Sequence, residues 1–286
     1  GGVPGKFIEH GPAISDWLAG ICAGDPALAR VTVLREAAGQ WWRDPVMARS
    51  PDAPYRHHET LGAIWRDRAE ARADGADPVL YAALFHQGAD GAPLALHNAR
   101  QAGMQLADWL AELFRVSVVP LWLLLARYGV GFIAHGQNIT VALKGGRPIG
   151  MMLKDFQGDM DLVDQDFPQM RDLDPAIRAI LPRKPPPVII HDIQTAHFVT
   201  CLRFLSARLH PWLPEAEFYA ILRRVLLDAR DEHPDLAERF ALFDLFAPKM
   251  PRVCINRVRF AIGYEDSAAR PLPARGTDLD NPLFAG

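Results

Sequence analysis

A chain of 286 residues, 49% of them apolar and 23% charged, is long enough to bury a real core as one large domain or two modest ones. Its formal net charge of -3 offers no general basic field for nucleic acid, and local pairs such as Arg223-Arg224 read as solvated helix faces. The three cysteines, Cys22, Cys201 and Cys254, lie far apart without a CxxC pair, so neither structural zinc nor an iron-sulfur cluster has its signature here. With an odd cysteine count and no secretory leader, a reducing cytoplasm is the expected location.

In chain order, residues 12 to 23 have helical spacing, while RVTVLRE at 30 to 36 and PVLYAALFHQ at 78 to 87 read as strands. Trp41-Trp42 beside Arg43 suits a stacking platform, though an aromatic pair packed under a loop is the expected role. The charged run IWRDRAEARADGAD follows, with Gly75 and Asp77 marking a turn. A long helical pattern extends from about Asn98 to Arg127, with one break near Pro120. Its apolar part, VSVVPLWLLLARYGVGF at 116 to 132, is short for a membrane span and is interrupted by Pro120 and Arg127, so it reads as a buried helix.

ITVALK and RPIGMMLKDF then form a hairpin around Lys144-Gly145-Gly146, a turn that glycine makes easy. The stretch MDLVDQDFPQMRDLD carries Asp161, Asp164, Asp166, Asp172 and Asp174. It lacks the glycine and closing glutamate of a calcium loop and is expected to be solvated. PRKPPPV at 182 to 188 is expected to be extended, and helices are expected at about 192 to 210 and 215 to 248. His191 and His197 are six apart, on different helix faces, and read as structural. The plan is α+β, with the hairpin between helical layers: a mixed α/β segment at 1–95, the central helix and hairpin at 96–180, and a helical segment at 181–286.

The chemistry concentrates in HGQNITVALKGGRPIGMMLKDFQGD, residues 135 to 159. Two antiparallel strands of similar length return their outer ends to one place, so His135, Asn138 and Asp155 are expected to meet. Asn and Asp are hard oxygen donors of the kind Mg²⁺ takes when phosphate and water supply its other ligands. Kinases hold the metals on ATP with a similar Asn and Asp. Gln137 stands near the place where sugar and aminoglycoside kinases carry an Asp base, and an amide cannot take a proton from an alcohol. A substrate carboxylate needs no base, which favours carboxylate activation over phosphorylation. A small-molecule phosphotransferase and a non-catalytic binding module remain the alternatives.

LGAIWRDRAE at 61 to 70, LARYGVGFIAHGQN, LKDFQGD, PKMPRVCINRVRF and the terminal NPL together resemble the NRPS-independent siderophore synthetases, the aerobactin-synthetase-like IucA/IucC family. The resemblance implies a hand-like fold with a cupped nucleotide site, and that the segment at 1–95 is nucleotide-cupping. It also implies a cytoplasmic, dimeric ligase that uses ATP and Mg²⁺ to adenylate a citrate- or succinate-type carboxylate and condense it with an amine, hydroxylamine or alcohol. Carried over, the catalytic His falls on His135, the metal ligands on Asn138 and Asp155, and nucleotide contacts on His135, Gln137, Asn138, Lys154, Asp155 and Gln157. Lys154 stands where relatives often have Arg, which keeps charge but loses a bidentate fork. Arg66 is a candidate for the phosphates, weighed against a surface pair with Asp67 or Glu70. Relatives of iron-reductase type hold a cluster through several cysteines, more than this sequence supplies. Family members are longer, and the resemblance implies that further phosphate-gripping residues lie upstream of the part matched here.

Overall fold

Helix α1 (Gly11–Gly24) leads into strand β1 (Val31–Val33) and the hairpin of β2 (Glu36–Trp42) and β3 (Leu61–Arg66). The short α2 (Ala69–Arg72) and β4 (Asp77–Leu80) precede α3 (Leu94–Gln101), α4 (Leu106–Ser117) and α5 (Val119–Tyr128). Strands β5 (Val130–Phe132), β6 (Ile139–Lys144), β7 (Arg147–Leu153) and β8 (Met160–Val163) follow, then α6 (Pro175–Ile180) and β9 (Arg183–Lys184). The chain continues through α7 (Pro186–Ile189), α8 (His191–Ile193), α9 (Arg203–Leu209), α10 (Glu215–Glu232) and α11 (Ala237–Leu242) to a last hairpin, β10 (Lys249–Cys254) and β11 (Ala274–Asp280). This computed structural model describes residues 8–46, 49–50, 61–171, 173–254 and 274–284.

The expected hairpin is the centre of a four-stranded sheet ordered β1-β7-β6-β4, with β1 parallel to β7 and the other pairs antiparallel. Alternation decides what each face buries. Val141 and Met151 enter the main core, whereas Ala142 and Met152 join Leu34, Ala73 and Ala76 in a small cluster on the opposite face. Helices α3 and α4 lie against β7, and α10 lies against α4. The second sheet, β5-β8-β9, stands beside the loop that enters β6.

Gly145 and Gly146 turn the hairpin at φ of 55° and 82°. Trp109 of α4 pins that turn, because its buried Nε1–H donates to the Gly146 carbonyl at 2.8 Å. Trp109→Phe leaves this carbonyl without its donor and should cost about 1–3 kcal/mol. A denaturant midpoint equal to wild type would show that the turn holds its place without Trp109.

Several elements differ from the sequence expectation, each for a local reason. The helical pattern at 98 to 127 is three helices. The break between α4 and α5 falls at Val118, and Pro120 sits in the first turn of α5, where its missing N–H costs nothing. The whole apolar stretch Leu106–Tyr128 is long enough to cross a bilayer, yet 83% of its most apolar window is buried against the rest of the protein. PVLYAALFHQ is a strand only to Leu80; Tyr81–Phe85 is a 3₁₀ turn that buries Tyr81 and Leu84, three apart. RVTVLRE splits between β1 and β2.

The proline run 185 to 187 starts a helix instead of remaining extended: Pro185 is the extended N-cap of α7, and the next prolines occupy its first turn. Between α8 and α9 the backbone is π-helical over Gln194–Leu202. The expected helix at 215 to 248 ends at Glu232 and resumes only briefly as α11. Trp42 is 51% exposed on the β2–β3 hairpin and is therefore not packed under a loop. At the C-terminal end, Asn281 donates to the Leu245 and Ala247 carbonyls at 2.8 and 2.7 Å, which gives the NPL sequence a structural role.

Candidate active site

The loop from β5 to β6 carries His135, Gln137 and Asn138. Its backbone is held from behind: His197 donates from Nδ1 to the Ala134 carbonyl at 2.9 Å, and the Ile133 N–H reaches the Asp159 carbonyl at 2.8 Å. Burial pushes the His197 imidazole down to about 4, so it stays neutral at physiological pH and can donate from one nitrogen only. Asn138 is buried and donates from Nδ2 to the Ile133 carbonyl at 3.1 Å and to Asp159 Oδ2 at 3.0 Å. The His135 Nδ1 accepts from the Gln137 N–H at 3.3 Å, which places the proton of the neutral ring on Nε2, 3.9 Å from Asp159 Oδ2.

The second half of the site follows β7. The Lys154 N–H donates to the Asn138 carbonyl at 3.2 Å, tying the strand ends together, and Asp155 then takes a left-handed conformation at φ 66°. That conformation is uncommon for a non-glycine residue. Arg66 Nη2 contacts Asp155 Oδ1 at 2.6 Å, and Lys154 Nζ contacts Oδ2 at 2.9 Å. Burial acts to raise the Asp155 pKa, but the hydrogen bonds from Arg66 and Lys154 overcome it and hold the carboxyl below its ordinary range. Arg66 thus engages neither of its sequence neighbours. Asp67 is within ion-pair reach of Arg35 and Arg72, and Glu70 of Arg68.

The candidate residues therefore gather in two groups joined by one backbone hydrogen bond. Asn138 and His135 face Asp159, and Asp155 faces Arg66 and Lys154. Gln157 lies in the turn between them, with both side-chain amide atoms buried and unpartnered. Asp159 was not among the residues expected from the sequence. Its only signal there is its place as the second acid of KDFQGD.

Beneath the site lies a group the acidic stretch conceals. Asp161 is buried, and Lys184 bridges it to Asp192, which in turn accepts the Ala134 N–H at its backbone carbonyl. Full burial and then the Asp161 charge push the Asp192 carboxyl well up. Only part of the stretch is the solvated loop expected. Asp166 is exposed near Arg178 and Arg183, Asp174 caps α6, and Asp172 lies outside the described residues.

The site fits Mg²⁺ carried on a nucleotide better than a dedicated metal cage. Asp155, Asp159, Asn138 and Gln157 supply hard oxygens, Gln157 has uncommitted buried polar atoms, and Arg66 and Lys154 supply cations for phosphate. Among the described residues no three His, Cys, Asp or Glu side chains form a ready metal cluster. Mg²⁺ needs only one or two carboxylates when phosphates complete its shell.

This arrangement occurs on a fold already seen in siderophore synthetases. The chain superposes on aerobactin synthetase IucC from Klebsiella pneumoniae with a TM-score of 0.83 and 41% identity, over 98% of this chain and 48% of that one. It also superposes on ATP-bound aerobactin synthetase IucA from the same organism, with a TM-score of 0.72 and 18% identity, over 100% of this chain and 50% of that one. In sequence it is 43% identical to the aerobactin synthase of Escherichia coli, over 99% of this chain and 50% of that protein. Residues 2–86 match the IucA / IucC family model, and residues 107–268 match the model described as ferric iron reductase FhuF-like transporter.

The chain belongs to the IucA/IucC family, and its residues 107–268 form the FhuF-like segment. It spans about half the length of the relatives it matches. The FhuF-like match contains only Cys201 and Cys254, too few for a four-thiolate cluster.

Proposed function

We propose that the protein containing this chain is an ATP-dependent ligase that adenylates a carboxylate of the citrate or succinate class and passes the acyl group to an amine, hydroxylamine or alcohol. The observation that carries this reading is the Arg66–Asp155–Lys154 cluster opposite Asn138 and His135, at the ends of the central hairpin. It combines one carboxylate for a divalent ion with two cations for phosphate oxygens. The relationship to aerobactin synthases and the likeness to an ATP-bound neighbour support the same reading.

Mg²⁺ bound on the triphosphate would neutralise charge and make pyrophosphate a better leaving group. Asp155 and Asn138 are the residues proposed to hold it, with Asp159 as a further donor. Lys154 and Arg66 would orient the phosphates, and Gln157 would hydrogen-bond the nucleotide from its buried amide. His135, with its proton on Nε2, would donate to the phosphate or acyl oxygen where charge builds up. The kinase-like reading draws on one observation: His135 Nε2 lies 3.9 Å from Asp159, so a carboxylate stands near the loop even though Gln137 cannot act as a base. Product analysis with the full-length protein decides between them. Pyrophosphate with AMP supports the ligase, and ADP supports the kinase.

A further inference from the structure

Glu36, the first residue of β2, is 2% exposed, and neither of its carboxylate oxygens is paired with a side chain. Its backbone is fixed, since its N–H donates to Ser15 Oγ at 3.0 Å, and the register of β2 on β3 shifts just after it. Such a bulge re-aims the side chain beside it. Gly11, in the first turn of α1, leaves the carboxylate room, because a Cβ there would stand 2.0 Å from Oε2. The residue paired with Glu36 across the strands is Arg66, whose guanidinium is turned to Asp155. Burial pushes the Glu36 carboxyl up, Arg66 and the Phe156 N–H oppose that, and the Asp155 charge adds to it.

Two features need one explanation. Asp155 is occupied by two cations, Arg66 and Lys154, and a divalent ion must displace at least one of them to reach it. Meanwhile a buried carboxylate one strand away has no side-chain partner, an arrangement that is costly unless something uses it.

We infer that Glu36 is the second seat of Arg66: when metal-bound phosphate takes Asp155, the guanidinium turns across the β2–β3 pair and is held by Glu36. The unloaded protein thus keeps Asp155 formed and masked, and the loaded one keeps Arg66 off the metal, with one edge of its guanidinium on Glu36 and the rest of its fork free for the phosphates. This role rests on the reading of Asp155 as a metal-holding residue. Glu36 acts through Arg66 and is a positioning residue.

The test titrates wild type, Glu36→Gln and Asp155→Asn with Mg·ATP by calorimetry and follows the Arg66 Nε signal by ¹⁵N NMR. Glu36→Gln should weaken Mg·ATP binding about 10- to 100-fold, the worth of a hydrogen bond to a charged partner. It should melt no lower than wild type without nucleotide, because it removes a buried negative charge that burial and the Asp155 charge disfavour. The Arg66 signal should shift on loading in wild type and not in Glu36→Gln.

If Asp155→Asn loses binding while Glu36→Gln binds and shifts like wild type, the second seat is wrong and the metal reading stands. If wild type does not bind Mg·ATP, or Asp155→Asn binds as wild type does, both fall together. A Glu36→Gln chain that fails to fold would show that the carboxylate already has a structural task, which also overturns the inference.

Discussion

Asp155→Asn should lose at least about 100-fold in affinity for Mg·ATP, more than is usual for residues that merely support a metal ligand. Affinity for ATP without metal should change far less. The substitution keeps the shape and an oxygen that can still accept from Arg66, and it removes only the charge. Asn also tolerates the left-handed backbone at φ 66° at least as well as Asp, so the turn survives. Arg66 and Lys154 lose a carboxylate that is itself partly open to solvent, at 28% side-chain exposure, so screening limits the penalty for folding. The melting temperature should therefore move by only a few degrees, as about 1 kcal/mol implies for a chain of this size. Equal Mg·ATP affinity in the two proteins would remove Asp155 from the metal site.

The hairpin that brings the site together could be read because its evidence is local. ITVALK and RPIGMML have strand composition, Gly145-Gly146 allows one kind of turn, and the polar residues mark the open end. What faces what at that end was not local. Arg66 reaches Asp155 from β3, and no spacing rule connects them. Asn138 selects Asp159 because that acid begins the run into β8, whose pairing with β5 returns it beneath the loop.

Glu36 reads as an ordinary charged residue after RVTVLR and becomes unusual only when α1 and β3 enclose it. Asp161 and Asp192 likewise look solvated in sequence, and only the packing of α8 on β5 encloses them with Lys184. The helices were legible as apolar periodicity and their ends were not, since Val118 and the 3₁₀ turn at Tyr81 answer to tertiary packing. Sequence patterns report backbone state, whereas the charges that tune a site are placed by elements distant in the chain.

The largest effect expected of the whole protein is the identity of its products. Attack of a carboxylate oxygen on the α-phosphorus breaks the bond to the β,γ-phosphates, so pyrophosphate leaves and an acyl-adenylate forms. The acceptor then attacks the acyl carbon and AMP departs. A kinase would instead transfer the γ-phosphoryl group and release ADP.

Gln137 weighs against the kinase, because replacing a general base with an amide should forfeit about 10²- to 10⁴-fold in rate. Asp159 is a poor replacement for that base, since its Oδ2 already accepts from the Asn138 amide. A carboxylate nucleophile is anionic already and loses nothing. The full-length protein given ATP, Mg²⁺, a citrate- or succinate-type carboxylate and hydroxylamine should therefore accumulate AMP, pyrophosphate and a hydroxamate in equal amounts.

His135→Ala should lower the rate of that reaction by about 10²-fold or more, with a smaller change in nucleotide affinity, if the Nε2–H acts as proposed where charge develops. His135→Gln keeps a donor and should recover part of the loss. If ADP and a phosphorylated product appear without pyrophosphate, and both His135 variants are equally inactive, His135 and Asp159 are working as a base pair and the site belongs to a kinase.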